Sequence, residues 1–250
     1  MDDFRLLIDL HHGALRQGPG GDVETRLAVE LSGLRGAANL RIADIGCGTG
    51  ASTLVLAREL DADITAIDFV PEFLAKLDER ARRAGFAHLI TTLSVSMDTL
   101  PFAEDELDAI WSEGAIYNMG FEAGIRAWRK YLKPNGILAV SELTWLTDQR
   151  PEELQAHWEK EYPEVDTASG KMAVLERLGF SPVGYFRLPE YCWLDNYYEP
   201  MRRRFSDFLD RHQSSEDAQA IVSAEEKEIS LYERYKAFIS YGYYVARKVP

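Results

Sequence analysis

Three glycines at alternate positions, Gly46, Gly48 and Gly50, lie directly behind an apolar run in the stretch IADIGCGTG. Glycine weakens a strand and costs a helix roughly 1 kcal/mol against alanine, so the cluster needs a local reason. A strand turning tightly into a helix supplies one. Bare backbone lets ligand atoms approach closely, and helix amides point at a negative group. The dinucleotide fingerprint is G-x-G-x-x-G; here the third glycine comes one residue early, which marks a related but different pocket. Asp68 closes the next apolar run about twenty residues on, where a carboxylate accepts hydrogen bonds from ribose hydroxyls. Together these residues predict an adenosine-containing ligand in a crevice beyond the strand ends.

The segments that must position them alternate in texture. RIADI, ADITAID, LITTLSV, ELDAIWS and ILAVSEL read as five strands. Between them, ASTLVLARELD reads as a helix, and PEFLAKLDERARRAG starts on a proline and stops at a glycine. Phe121, Ile125, Trp128 and Leu132 form another helical stripe, stopped by Pro134, Asn135 and Gly136. Such alternation predicts an α/β, Rossmann-like doubly wound parallel sheet covered on both faces. Residues 1–36 are expected to form an N-terminal lid and helix, with Val23, Leu27, Leu31 and Leu34 on one helical face, ahead of a core spanning 37–250. After Thr147 the rhythm changes, and insertions at about 147–166 and 190–240 are expected to cover the site. The second carries Ile229, Tyr232 and Ile239 on a common face. ASGKMAVLERLGF reads as a helix ending at Gly179, SPVGYFRLP as a strand, and YGYYVARKV as the last strand.

Composition narrows the partners. Across 250 residues the formal net charge is −13, which disfavours nucleic-acid phosphate and anionic membrane surfaces. Only two cysteines occur, Cys47 and Cys192, and no apolar run follows a basic N-terminal segment. A cytoplasmic enzyme with free thiols and no membrane span is the expectation. The five histidines are scattered, so no metal is expected.

IADIGCGTG resembles the first motif of class I S-adenosylmethionine-dependent methyltransferases. The likeness continues through ITAID, SVSMDTLPFAEDELDAIWSEGAIYN and LKPNGILAVSE, with YGYYVARK as a family-like tail. The whole is similar to small-molecule enzymes of the ubiquinone/menaquinone-biosynthesis-like group. That resemblance implies a seven-stranded sheet with its last strand antiparallel, and S-adenosylmethionine as cofactor. It also implies roles. Asp44 and the backbone of Gly46, Cys47, Gly48 and Gly50 would hold the methionine end, and Asp68 the ribose. Phe69, Ser96, Met97 and Asp98 would surround the adenine, and Glu113 would line the methyl-donor cavity. Bland roles stay open beside these: Asp44 as a turn cap, Asp68 as a helix cap, Met97 as core.

Methyl transfer from a sulfonium is an in-line displacement, and a general base is needed only for a protonated acceptor. Glu142, at the end of the fifth strand, is the expected base, with Tyr117 beside it; pairing of Glu142 with an arginine is the alternative. Gln17 and Gly18 are expected to touch the cofactor from the lid. His11, Asn118, Trp145, Tyr191, Trp193 and Tyr197 are expected to wall the acceptor pocket. The expected partner is a small-molecule acceptor, with a homodimer possible. A non-catalytic sensor or scaffold binding the same cofactor, and a methyltransferase acting on protein, are the competing functions.

Overall fold

The computed structural model describes residues 3–250; Met1 and Asp2, the start of the expected lid, lie outside the described residues. Leu40–Ile45 (β1) is buried on both faces, as a central parallel strand must be. Around it lie Ala62–Asp68 (β2), Ile90–Ser94 (β3), Leu107–Glu113 (β4) and Leu132–Trp145 (β5). A two-residue strand, Asp166–Thr167 (β6), pairs with the end of β5. Phe180–Arg187 (β7) and Ile239–Lys248 (β8) complete the sheet. Its order is β3-β2-β1-β4-β5-β8-β7, with β8 antiparallel to both neighbours. The seven-stranded expectation holds, with the short β6 added.

Helices cover both faces. Ala51–Glu59 (α3) packs with Asp22–Ser32 (α2), while Pro71–Ala84 (α4) buries Leu74, Leu77 and Ala81. Phe121–Trp128 (α5) and Ala168–Arg177 (α7) cover the other half of the sheet. Glu152–Glu161 (α6) lies in the first insertion. The second holds Glu190–Trp193 (α8), a π-helical turn Leu194–Tyr198, Glu199–Arg211 (α9) and Glu216–Tyr235 (α10). At the N-terminus Asp3–His12 (α1) buries Leu6 and Leu10, one turn apart, against the second insertion. No helix among the described residues is long and apolar enough to cross a membrane.

Two local expectations are corrected. Of the expected stripe on α2, Val23 and Leu27 face outward while Leu31 and Leu34 pack partly buried against the core, and Thr25, Ala28, Val29 and Ser32 are buried. Thr25 turns inward because its hydroxyl donates to Glu113, a tertiary bond that no helical period announces. Ile239 does not continue the face of α10; it opens β8, while Ile229 and Tyr232 are buried as expected.

Candidate active site

The sharp turn between β1 and α3 rests on positive-φ backbone at Gly46, Gly48 and Gly50. At Gly46 and Gly50 a side chain would also collide, with Ala115 and with Leu77, so glycine is needed twice over. The amides of this turn are not free, contrary to the expectation that they face a ligand. Those of Gly46 and Cys47 donate to the Ile67 carbonyl at 2.8 and 2.9 Å, and that of Gly50 to the Cys47 carbonyl. Gly48 donates to Asp68 Oδ2 at 2.9 Å, and Thr49 to Gln17 Oε1 at 2.8 Å. What the turn's backbone still offers is carbonyl oxygen, an acceptor with two lone pairs.

Around it is a cavity of about 600 Å³. One end is lined by Gly46, Cys47, Gly48, Asp68 and Phe69, with Ser96, Met97 and Asp98 from the loop after β3. Asp68 also accepts the Val70 amide at 2.9 Å, so it does cap the chain beyond β2 while facing the cavity. Burial raises its pKa against the opposing pull of backbone hydrogen bonds. Met97 packs on the core as well as lining the cavity, and its carbonyl accepts the Trp128 indole at 3.1 Å.

The N-terminal segment lies over this end. Gln17 and Gly18 line the cavity as expected, and Gln17 also donates to the His11 carbonyl at 3.2 Å. Arg80 of α4 donates to the carbonyls of both Thr49 and Leu15, tying the N-terminal segment to the turn. Arg16, which no motif singled out, lines the cavity from this segment and donates to Glu113 at 3.1 Å and to Asp22 at 3.0 Å. Glu113 accepts in addition from Thr25, Trp111 and Tyr243, so the end of β4 presents a fully engaged carboxylate.

A second group of lining residues comprises His11, Asn118 and Tyr197, expected in the acceptor pocket, and Tyr117, expected beside the base, with Glu225 and Glu228 from α10. The two glutamates were not legible beforehand. They sit in a helix of ordinary acidic texture, more than a hundred residues from the motif they face.

Other expected site residues lie elsewhere. Asp44 does not line the cavity; buried beneath the turn, it accepts from Ser52 at 2.8 Å and Thr53 at 2.6 Å and holds the start of α3. Its burial pushes its pKa up to about 7. Gly50 shapes the turn without lining the cavity. Glu142, the expected base, is also off the cavity, with the Leu143 amide on Oε1 at 2.6 Å and the Tyr162 hydroxyl on Oε2 at 3.2 Å. Burial takes its pKa to about 7 against the charge of Lys171, its ionic neighbour in place of the arginine considered above. Trp145 stacks under Arg150 at 4.3 Å, and Tyr191 is bonded to Glu24. Trp193 belongs to a core cluster with Tyr198, Tyr232 and Tyr241. Trp145 ends β5, and Tyr191 and Trp193 lie in the second insertion; all three pack with the core rather than line the cavity. Burial raises the Cys47 thiol pKa well above its ordinary value, which removes it as a nucleophile at neutral pH.

A glycine turn, an acid on the neighbouring strand and the residues after β3 and β4 thus line one candidate ligand cavity. Residues 42–136 match the family model described as a methyltransferase domain. The chain is 26% identical to the glycine/sarcosine/dimethylglycine N-methyltransferase of Actinopolyspora halophila over 54% of its length and 24% of that protein's. The matched region spans from about a quarter to about half of the length of the first such relatives. Among solved structures, a methyltransferase from Geobacter sulfurreducens in complex with S-adenosyl-L-homocysteine superposes with a TM-score of 0.84 at 19% identity, over 97% of both chains. The [4+2]-cyclase SpnF superposes at 0.76 and 22% identity, over 98% of this chain and 92% of that one. Residues 42–136 thus match a methyltransferase domain, and the whole chain has the fold of S-adenosylmethionine-dependent methyltransferases of solved structure.

Proposed function

We propose that the chain moves a methyl group from S-adenosylmethionine to a small-molecule acceptor. The observation that carries this reading is the single cavity whose lining joins the glycine turn and Asp68 with His11, Tyr117 and Tyr197. Because one fold serves both methyltransferases and a cyclase, the activity has to be argued from the site.

The residues fit the cofactor. Asp68 has lone pairs left for a ribose diol beyond its two backbone bonds. The turn's carbonyls suit an ammonium, Arg16 suits a carboxylate, and Met97 with Asp98 suits a flat base bearing an exocyclic amine. When bound, the cofactor supplies a methyl group on a sulfonium, ready for in-line displacement. The protein's work is then to align the acceptor and exclude water, an advantage worth roughly 7–11 kcal/mol of barrier. Gln17 and Gly18 close the lid, and Tyr117 and Tyr197 hold the acceptor. Glu142 has a supporting place behind Tyr162, outside this route.

A sensor would need no second end, so the separate wall formed by α1 and α10 favours turnover. The same helical cover favours a small acceptor over a protein. The test is transfer of tritiated methyl from the cofactor into a metabolite extract. Label in the small-molecule fraction is expected. Label confined to protein, or no transfer by a chain that binds S-adenosylhomocysteine, would refute the proposal.

A further inference from the structure

The acceptor end has a definite chemical character. Among the described residues lining the cavity, five are carboxylates (Asp68, Asp98, Glu113, Glu225 and Glu228) and one is a guanidinium, Arg16. Arg16 is already held by Glu113 and Asp22. The far end therefore carries Glu225 and Glu228, one turn apart on α10, and among the described residues no lysine or arginine is paired with either. His11 approaches Glu225 at 3.9 Å through Nε2, while its buried Nδ1 has no hydrogen-bond partner. Two rings complete the wall: Tyr197, stacked on His11 with centroids 6.2 Å apart, and Tyr117.

Carboxylates and electron-rich rings around one space attract a positively charged nitrogen, by direct charge and by cation–π contact. A carboxylate or phosphate acceptor would meet repulsion there, and a neutral alcohol would leave the acids without a counter-charge. Resting on the methyl-transfer reading, we infer that the acceptor is a small amine, bound at its nitrogen between Glu225, Glu228 and the Tyr117 and Tyr197 rings.

The chemistry closes. An amine arrives as ammonium and must give up a proton before its lone pair is free; the Glu228 carboxylate takes that proton and passes it to solvent. The nitrogen–carbon bond forms as the carbon–sulfur bond breaks, and the bonding pair stays on sulfur. Positive charge moves from sulfur to nitrogen, where the two glutamates hold it. Burial and the neighbouring Glu225 push the Glu228 pKa up to about 7, which suits a carboxyl that must accept and release a proton near neutrality. Besides Glu225 on its own helix, the groups facing Glu228 include Tyr198, which donates to it at 2.9 Å, Glu161 of α6, and the hydroxyls of Tyr117, Tyr197 and Tyr241.

The test needs no turnover. Choline and its neutral isostere 3,3-dimethyl-1-butanol are titrated by calorimetry into the protein, with and without S-adenosylhomocysteine. Choline is expected to bind at least tenfold more tightly than the alcohol. In the E225Q/E228Q protein that preference should fall to within about twofold, with S-adenosylhomocysteine affinity unchanged. Equal binding of the two probes, or a preference that survives the double substitution, would overturn the inference. Should the double variant fail to fold, E225Q alone should lower the preference, and an undiminished one counts against it. Failure of S-adenosylhomocysteine to bind wild-type protein strikes the methyl-transfer reading instead, and the choline preference of the unloaded protein remains a separate readout.

Discussion

Replacing Asp68 with Ala removes a carboxylate that serves two masters, and the two effects can be separated. Within the protein it accepts from the Gly48 and Val70 amides, both at 2.9 Å. Hydrogen bonds to a charged group are worth about 1.5–3 kcal/mol each, with the lower figure apt here because freed turn amides regain water. The D68A protein should therefore lose roughly 2–4 kcal/mol of stability in urea unfolding. Towards the ligand, the loss of a charged bond to the ribose diol should cost about 1.5–3 kcal/mol, or roughly 10- to 150-fold in S-adenosylhomocysteine affinity. Calorimetry with that ligand and with its 2′,3′-dideoxy analogue divides the cost. The full ligand should lose the whole factor, and the analogue, having no diol, about twofold. If both ligands lose equally, Asp68 acts only by shaping the turn, and the ribose assignment is refuted.

Glu142→Gln should leave the methyl-transfer rate within about twofold of wild type at every pH, because the carboxyl lies off the cavity. Its effect should appear in stability. The folded pKa of about 7 stands above the ordinary value of 4.5, so the folded state binds the extra proton between those limits. Glu142's contribution therefore declines as pH rises through that window, by up to about 3 kcal/mol, and urea unfolding of the variant should lack this part of the slope. A slope identical to wild type would show that Glu142 ionises normally. Arg16→Ala should free the lid: cleavage between residues 12 and 21 by a limiting protease should quicken, and S-adenosylhomocysteine affinity should fall at least tenfold. Unchanged cleavage and affinity would remove Arg16 as the latch.

Most of the sheet was legible because parallel strands buried on both faces, and helices with a single apolar stripe, each leave their own period in the sequence. The proposed cofactor end of the cavity was legible for a related reason. Gly46, Gly48, Asp68, Met97 and Asp98 all sit at strand ends within sixty residues, where topology alone brings them to one edge. The acceptor end has no such local cause. Glu225 and Glu228 meet His11 only after α10 folds back across the sheet, and Arg16 finds Glu113 through a loop without periodicity. Trp145, Tyr191 and Trp193 misled because residue type does not say whether a ring faces a cavity or a core. Glu142 misled in the same way: its place at the end of β5 was correct, yet Tyr162 occupies the side it would have to use. Thr25 shows the converse, a polar residue drawn inward by one tertiary bond while Val23 and Leu27 are left outside.

The central claim is that the cavity holds the sulfonium nucleotide against the β1–α3 turn with its sulfur towards the acceptor end. A crystal structure grown with S-adenosylhomocysteine tests it most directly. The account predicts the ribose within hydrogen-bond reach of Asp68, the adenine beside Met97 and Asp98, and the sulfur facing the space between Tyr117 and Tyr197. Density for the ligand at any other place, or a turn closed over by its neighbours in crystals saturated with it, would contradict the account.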